Sequence, residues 1–236
     1  MKAYFDKIYQ HGFDSFVDFL KERVHKEDKT FVITANPETL MTGKENPDFD
    51  KILSDEKTII VPDGIGVVKA ANMLGYPVKE RVTGVEIAET LLKIADEENK
   101  SVYLFGAKKE VVETLVKKIE NDYSGAVIAG YSDGYVENRN AVFDDIAEKQ
   151  PDIILVAFGI PVQEKLIADH LDKFNKGIFV GVGGSFDVIS GTKKRAPEIF
   201  IKLNLEWLYR ILKEPNRIGR FYRSNVKFIS QIKKMR

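Results

Sequence analysis

The chain has 236 residues, of which 44% are hydrophobic and 31% charged, a composition typical of one globular domain or of a domain with an appendage. It contains no cysteine, which excludes disulfides, thiolate metal sites and catalysis by a thiol. Residues 1–10 lack the apolar core of a signal peptide, so a cytoplasmic location is expected. The longest apolar run, residues 153–160, is far shorter than the roughly 20 residues that span a bilayer. We therefore expect any membrane contact to be peripheral.

The net charge is zero, but the charges are unevenly distributed along the chain. Residues 201–236 contain ten lysines and arginines against two acidic residues, Glu206 and Glu214, so this tail has a net charge of +8 and the rest −8. Such an asymmetry indicates an anionic partner for the tail, whether lipid headgroups, diphosphates or nucleic acid. The alternative is a solvated basic segment that docks on the acidic body of its own chain.

Six short, largely β-branched apolar runs alternate with longer helical patterns. They are residues 31–34, 58–61, 102–105, 126–129, 153–158 and 178–182. Strands that alternate with helices favour a parallel sheet, and runs that are apolar throughout are typical of strands covered by helices on both faces. The sequence therefore predicts an α/β fold with a Rossmann-like, mostly parallel sheet of about six strands and helices on both faces.

Helix starts are marked by capping residues and first-turn prolines, most of them directly after a predicted strand. These are Asn36-Pro37, Asn46-Pro47, Thr83 with Glu86 three residues later, Asn138 and Pro161. In an open parallel sheet the ligand crevice lies outside the carboxyl ends of the strands. We therefore expect the loops at 34–36, 62–64, 106–107, 159–163 and 181–184 to converge on one site.

From residue 197 onward the pattern is helical only, and Pro215 is expected to break it into two segments. We divide the chain into an α/β domain, residues 1–196, and a basic amphipathic appendage, residues 197–236. The appendage carries arginines suited to bidentate phosphate contacts, together with aromatic side chains. These are Arg210, Arg217, Arg220 and Arg223, interspersed with Trp207, Tyr209, Phe221 and Tyr222. Such a segment suits reversible binding to a membrane surface or to nucleic acid.

A glycine-rich turn, residues 181–184, follows the last predicted strand and precedes a predicted helix. The free backbone N–H groups and the helix dipole of such a turn suit a phosphate, although a plain tight turn has the same composition. The motif is not a dinucleotide fingerprint, because Phe186 occupies the position of the third glycine. No P-loop motif occurs either, so an NAD enzyme and a P-loop nucleotidase are disfavoured.

Two acidic motifs are candidates for chemistry. Asp63 follows a predicted strand, where it could take a proton from an acceptor hydroxyl, although Asp-Gly is also common in turns. Asp48 and Asp50 form the DxD pattern of many metal-dependent glycosyltransferases, but acids are also favourable in the first turn of a helix. Glu86 fits a capping box, and the three scattered histidines show no metal-ligand spacing.

Taken in order, the motifs make residues 31–223 resemble the WecG/TagA/CpsF family of bacterial glycosyltransferases. They are TANPE at 34–38, PDGIGVV at 62–68, RVTG at 81–84, FGA at 105–107, GIPVQEK at 159–165, GVGGSFD at 181–187, GTKKRAP at 191–197, and LEWLYR with EPNR at 205–217. Two features depart from the family pattern. Val85-Glu86 replaces the residues often found after RVTG, and a usual first strand is missing, which would change the edge of the sheet.

The resemblance implies an inverting, metal-independent transfer of N-acetylmannosamine or a related hexose from a UDP-sugar. The acceptor would be a sugar on a polyprenyl diphosphate, in teichoic acid or surface-polysaccharide biosynthesis, and no cofactor is expected. The resemblance places the catalytic base at Asp63, beside Thr34, Asn36 and Arg81. Nucleotide-sugar contacts are expected at Gly106, Ala107, Gly159, Gln163, Gly183, Gly184 and Asp187.

The resemblance also implies that the appendage binds the inner face of the cell membrane and closes the active site. Arg210, Arg217 and Arg220 would then approach diphosphate groups, and Arg223 would add to the basic membrane-facing surface. Two other interpretations of the chain are a non-enzymatic module that binds a membrane surface or nucleic acid, and a metal-dependent DxD glycosyltransferase. We expect no nucleic-acid partner, because ordered motifs are more specific than charge. Packing of apolar tail residues between copies leaves a homo-oligomer open.

Overall fold

A six-stranded sheet forms the centre of the computed structural model, which describes residues 1–235 except for the side chains of Arg217 and Arg220. Its strands are β1 (Thr30–Ala35), β2 (Thr58–Pro62), β3 (Ser101–Gly106), β4 (Val127–Ser132), β5 (Ile153–Ala157) and β6 (Ile178–Gly181). They lie in the order β2-β1-β6-β5-β3-β4, and every neighbouring pair is parallel. The α/β fold predicted from the sequence is confirmed.

Helices connect the strands and form the C-terminal tail. They are α1 (Lys2–Asp6), α2 (Phe13–His25), α3 (Pro37–Glu45), α4 (Pro47–Ser54), α5 (Ile65–Met73), α6 (Gly84–Glu98), α7 (Lys109–Asp122), α8 (Arg139–Lys149), α9 (Val162–His170), α10 (Ser185–Ile189), α11 (Glu198–Lys202), α12 (Glu206–Lys213) and α13 (Ile218–Met235). A short 3-10 turn at Pro215–Arg217 separates α12 from α13, so the predicted break at the proline is confirmed.

The predicted capping residues set the helix starts. The side chain of Asn36 accepts the Thr39 N–H at 3.0 Å at the start of α3, and Asn138 caps α8 in the same way. Thr83 and Glu86 form a complete capping box at the start of α6. The first N–H groups of a helix have no partner within it, so these side chains fix where each helix begins.

Two apolar layers cover the sheet, one on each face. Phe31 and Ile33 of β1 belong to one layer, with residues of α1, α3, α4, α5, α8 and α9. Val32 lies in the other layer, with residues of α2, α6 and α7. Successive side chains of a strand point to opposite faces, so a strand buried on both faces is apolar throughout.

Strand β4 departs from the prediction that all six strands are covered on both faces. It lies at the edge of the sheet and pairs only with β3. Val127 is 53% exposed and Tyr131 45%. The prediction that helices cover every strand on both faces was therefore wrong for β4, whose side chains are only partly covered.

The N-terminal segment has two helices and a single bridge in place of a first strand. Ile8 pairs with Ile60 of β2 through an isolated parallel bridge, and the Tyr9 N–H donates to the Ile60 carbonyl oxygen at 2.8 Å. Ile8 is buried. The N-terminal segment therefore joins the sheet at its outer edge, beside β2.

The C-terminal tail packs on the edge of the sheet domain. Helix α13 lies along α3 and contacts α5, and its Phe228 and Ile232 are buried. Leu212, Ile218 and Tyr222, in contrast, are exposed. Within residues 1–235, none of the helices combines the length and the apolar character that crossing a membrane requires.

Gly106→Ala should destabilise the fold. Gly106 has a φ of +122°, and an added Cβ would lie 2.4 Å from the carbonyl oxygen of Ala157 in the neighbouring strand. We expect a loss of roughly 2–4 kcal/mol in the free energy of unfolding, measured with urea. Gly219→Ala is the control, because the Cβ added there meets no described atom within 4 Å apart from its chain neighbours and the backbone of its own helix. Equal stability of the two variants would contradict the close approach of β3 and β5.

Candidate functional site

Strands β1 and β2 end side by side, and their register brings Asn36 and Asp63 together at the edge of the sheet. Ala35 pairs with Pro62, and the Asp63 N–H donates to the Ala35 carbonyl oxygen at 2.9 Å, one residue beyond β2. Asp63 therefore lies at the carboxyl edge of the sheet, which is where ligands bind in open α/β folds.

A cavity of about 610 Å³ opens between this edge and the tail. Six residues predicted from the sequence border it: Thr34, Asn36, Asp63, Arg81, Gly184 and Arg210. The tail adds further walls, among them Glu206, Trp207, Phe221 and Ile229. The cavity is thus built jointly by the α/β domain and by helices α12 and α13.

Asp63 faces the cavity but is otherwise surrounded by protein. Its surface is only partly exposed, and loss of solvent around the carboxyl raises its pKa above the ordinary value. The charges of Arg210 and Arg81 and a hydrogen bond from the Gly84 N–H lower that pKa, whereas the charge of Glu206 raises it. The desolvation prevails, so the pKa is raised and the carboxylate is more basic than one on the surface.

Arg81 is held by an acid from the tail. Its Nη2 lies 2.6 Å from Oε2 of Glu206, and both side chains are largely buried. The other carboxylate oxygen, Oε1, lies 3.7 Å from Nε of Arg195, which in turn contacts Glu86 at 3.4 Å. Four charges of alternating sign therefore join the RVTG segment, the GTKKRAP segment and α12.

Thr34 and Asn36 present polar side chains to the cavity while also holding local structure. Thr34 donates to the carbonyl oxygen of Gly181 at 3.3 Å, which ties β1 to β6. The side-chain oxygen of Asn36 is the α3 cap, so its amide nitrogen is the part of the side chain best placed to donate to a ligand.

Several predicted nucleotide-sugar contacts lie at a second part of the sheet edge, where β3 and β5 end. Gly106, Ala107 and Gly159 do not border the cavity described above, so the five predicted loops do not all meet at one site. The chain leaves β3 toward β4 and β5 toward β6, in opposite directions along the sheet. Such a switch point is the usual place for a nucleotide in an open parallel sheet.

Gln163 is buried and ties two of the edge loops together. Its Oε1 accepts the N–H groups of Gly159 at 3.0 Å and Gly183 at 3.1 Å. Its Nε2 donates to Oε1 of Glu164 at 2.8 Å. The side-chain oxygen of Gln163 therefore holds the loops after β5 and β6 together. Gln163 does not border the cavity.

The glycine turn after β6 lies between the two parts of the sheet edge. Gly184 borders the cavity, whereas Gly183 adopts a positive φ of +49° and donates to Gln163. Asp187 follows in α10, and its carboxylate lies 3.3 Å from Nζ of Lys193. The turn is therefore held in place on both sides, and Asp187 has a cationic partner in the GTKKRAP segment.

The predicted tail arginines occupy different positions. Arg210 borders the cavity and Arg223 is exposed on α13, away from the cavity walls. The side chains of Arg217 and Arg220 lie outside the described part of the structure. Of the two whose side chains the structure describes, Arg210 is the one that it brings to Asp63.

The DxD acids lie in the first turn of α4 and do not border the cavity. Asp48 forms loose ion pairs with Lys51 and Lys165, and Asp50 accepts a hydrogen bond from Tyr4. Among residues 1–235 there is no group of three or more histidine or acidic side chains arranged to bind a metal. The interpretation of these acids as first-turn residues is confirmed.

The sheet order and the helices on both faces define a doubly wound α/β protein with a charged cavity at the carboxyl edge of its sheet. A model of the glycosyl transferase WecG/TagA/CpsF family matches residues 5–236, and the chain belongs to that family. It is similar to proteins named N-acetylglucosaminyldiphosphoundecaprenol N-acetyl-beta-D-mannosaminyltransferase. The one from Bacillus spizizenii is 42% identical over 86% of this chain and 79% of its own length. The one from Staphylococcus aureus is 39% identical over 80% and 74%.

Several charged residues at or near the cavity were not predicted from the sequence. Glu206 and Lys69 border the cavity, Arg195 contacts Glu206, and Glu164 contacts Gln163. Glu206 and Arg210 are four residues apart in one helix, so their spacing could have placed them on the same face. The burial of Glu164 cannot be predicted from the neighbouring sequence, because it depends on how α9 packs against the rest of the chain.

Burial raises the pKa of Glu164 to about 7, and its Oε2 has no hydrogen-bond partner. An acid whose pKa is higher in the folded than in the unfolded state stabilises the fold below its unfolded pKa. That stability is lost as the pH rises through the folded pKa. The wild type should therefore lose on the order of 3 kcal/mol in its free energy of unfolding between pH 4.5 and 8. Glu164→Gln has no carboxyl group at this position and should not show that loss.

Urea unfolding of wild type and Glu164→Gln at pH 5 and pH 8 tests this. The change in stability between the two pH values should be clearly smaller in the variant. Glu148→Gln, an exposed position on α8, serves as the control and should follow wild type. An identical pH dependence in all three proteins would show that Glu164 does not titrate in this range.

Proposed function

We propose that this protein is an inverting glycosyltransferase that moves N-acetylmannosamine, or a related hexose, from a UDP-sugar to N-acetylglucosamine on a polyprenyl diphosphate. The observation that carries the proposal is the partly buried Asp63 carboxylate in a cavity that also contains Arg81 and Arg210. The family of the chain and the names of its relatives support the acceptor. The reaction would serve teichoic acid or surface-polysaccharide biosynthesis.

Asp63 acts as the general base. The acceptor hydroxyl attacks the anomeric carbon of the donor sugar, its proton passes to the Asp63 carboxylate, and the bond to the UDP oxygen breaks. A single displacement from the face opposite UDP inverts the anomeric configuration and needs no covalent enzyme intermediate. The raised pKa of Asp63 suits this role, because a stronger base takes the proton more readily at neutral pH.

Cationic side chains and backbone N–H groups stabilise the leaving diphosphate without a metal ion. Arg81, Arg210 and Lys69 border the cavity, and the glycine turn that contains Gly184 opens on it. Arginine forks are suited to bidentate phosphate contacts. Such preorganised donors stabilise charge that develops in the transition state.

In this proposal the tail binds the inner surface of the cell membrane, where a polyprenyl acceptor is anchored. Its exposed apolar side chains include Ile199, Leu203, Leu212, Ile218 and Tyr222. Basic residues of the same segment add attraction to anionic headgroups, each worth about 1 kcal/mol near a membrane surface. Apolar and basic groups together are suited to reversible peripheral binding.

Two competing functions are less well supported. A module that only binds a membrane or nucleic acid would not need a desolvated carboxylate beside two arginines. A DxD glycosyltransferase would need Asp48 and Asp50 at the donor site, but neither borders the cavity.

The proposed function is tested by sugar transfer with purified protein, UDP-N-acetylmannosamine and a lipid diphosphate-linked N-acetylglucosamine in detergent. We expect UDP release that requires the acceptor and persists in EDTA. Release that EDTA abolishes would favour a metal-dependent reaction. Absence of release, together with absence of UDP binding, would refute the glycosyltransferase assignment for this donor class.

Asp63→Asn should reduce kcat/KM by roughly 100- to 10,000-fold, because the amide cannot accept the proton. The variant should keep the wild-type Tm, since it preserves the shape of the side chain. Asp48→Asn is the control, because Asp48 is exposed on α4, and it should keep wild-type activity. Near-normal turnover by a folded Asp63→Asn would show that another group is the base.

A further inference from the structure

Helix α12 buries its acid and exposes apolar side chains, the reverse of an ordinary surface helix. Glu206 is its one buried residue, at 7% exposure, whereas Leu212 is 65% exposed. Burial of a carboxylate is unfavourable unless cations and hydrogen bonds compensate it. The buried position of Glu206 therefore requires cationic or hydrogen-bonding partners close to its carboxylate.

Both oxygens of Glu206 face arginines of the α/β domain. Oε2 lies 2.6 Å from Nη2 of Arg81, and Oε1 lies 3.7 Å from Nε of Arg195. That Nε is itself buried and has no hydrogen-bond partner, and the Glu206 carboxylate compensates the charge of Arg195 on this side of the guanidinium. Arg195 also contacts Glu86, which completes the capping box of α6.

The same carboxylate lies close to Asp63. The charged groups that act on Asp63 are Arg210, Arg81 and Glu206, and Glu206 is the only acid among these three. An arginine fork has a fixed plane, so anchoring one of its terminal nitrogens restricts the direction of its other donors. A contact at Nη2 thus leaves the rest of the Arg81 guanidinium oriented within the cavity wall.

We propose that Glu206 is a positioning residue for the transfer reaction: its ion pair with Arg81 orients that guanidinium in the wall of the Asp63 cavity and anchors α12 on the α/β domain. This inference rests on the proposed function. Loss of Glu206 leaves Arg81 and Arg195 without their shared partner and removes the anchor of α12. The arginine then samples orientations that do not serve the diphosphate.

The test compares Glu206→Gln with Glu198→Gln, a change on α11 whose acid pairs only with exposed Lys202 among the contacts that the structure describes. Glu206→Gln should lose roughly 10- to 100-fold in kcat/KM, because small misplacements of a binding group have effects of this size. Glu198→Gln should be unchanged. Glu206→Asp keeps the charge and should recover part of the loss. The acidic limb of the Glu206→Gln pH profile should move to lower pH, because a charge that raises the pKa of Asp63 is removed.

A double-mutant cycle shows whether Glu206 acts through Arg81. The double variant Arg81→Ala/Glu206→Gln should lose no more activity than Arg81→Ala alone, because the effects of two substitutions do not add when one residue acts through the other. Losses that multiply in the double variant, with an unshifted pH profile, would overturn the inference. Wild-type activity in Glu206→Gln would overturn it as well.

Hydrogen exchange without substrates separates this inference from the proposed function. The backbone amides of residues 206–213 should exchange at least about 10-fold faster in Glu206→Gln than in wild type or Glu198→Gln. If wild type transfers no sugar, the proposed function fails, and exchange alone decides whether Glu206 anchors the tail. Unchanged exchange would overturn the anchoring role.

Discussion

Charge compensation at the cavity between the sheet edge and the tail is the constraint on which the arrangement of this protein depends. Asp63 and Glu206 carry carboxylates that are largely shielded from water, which is unfavourable unless cations lie close. Arg81 comes from the loop before α6 and Arg210 from the tail. Helix α12 therefore brings one anionic and one cationic side chain, Glu206 and Arg210, to the wall of the cavity.

The sequence predicted the fold well because its signals are local. Apolar runs, prolines and capping residues such as Asn36 and Thr83 act within a few residues, and the structure places helix starts where those residues indicate. The same signals do not specify strand order. Since β1 and β2 are neighbours while β3 and β5 lie farther along the sheet, the loops predicted to form one site are divided between two parts of its edge.

The charged residues that support the site were harder to predict. Glu206 was visible only as one of two acids in a basic tail, because its partner Arg81 lies far away in sequence. The contact between Glu164 and Gln163 likewise depends on packing of α9 against the loops after β5 and β6. A residue whose role comes from tertiary contacts leaves little trace in local spacing, whereas Asp63 was a candidate because it follows a predicted strand, and the family resemblance then suggested it as the base.

The most direct test of this account is a crystal structure with UDP and a water-soluble analogue of the lipid diphosphate-linked N-acetylglucosamine. The account predicts an acceptor hydroxyl within about 3 Å of the Asp63 carboxylate, as a general base requires. It also predicts phosphate oxygens on Arg81 and Arg210. An acceptor sugar bound outside the cavity, with no hydroxyl near Asp63, would contradict the account.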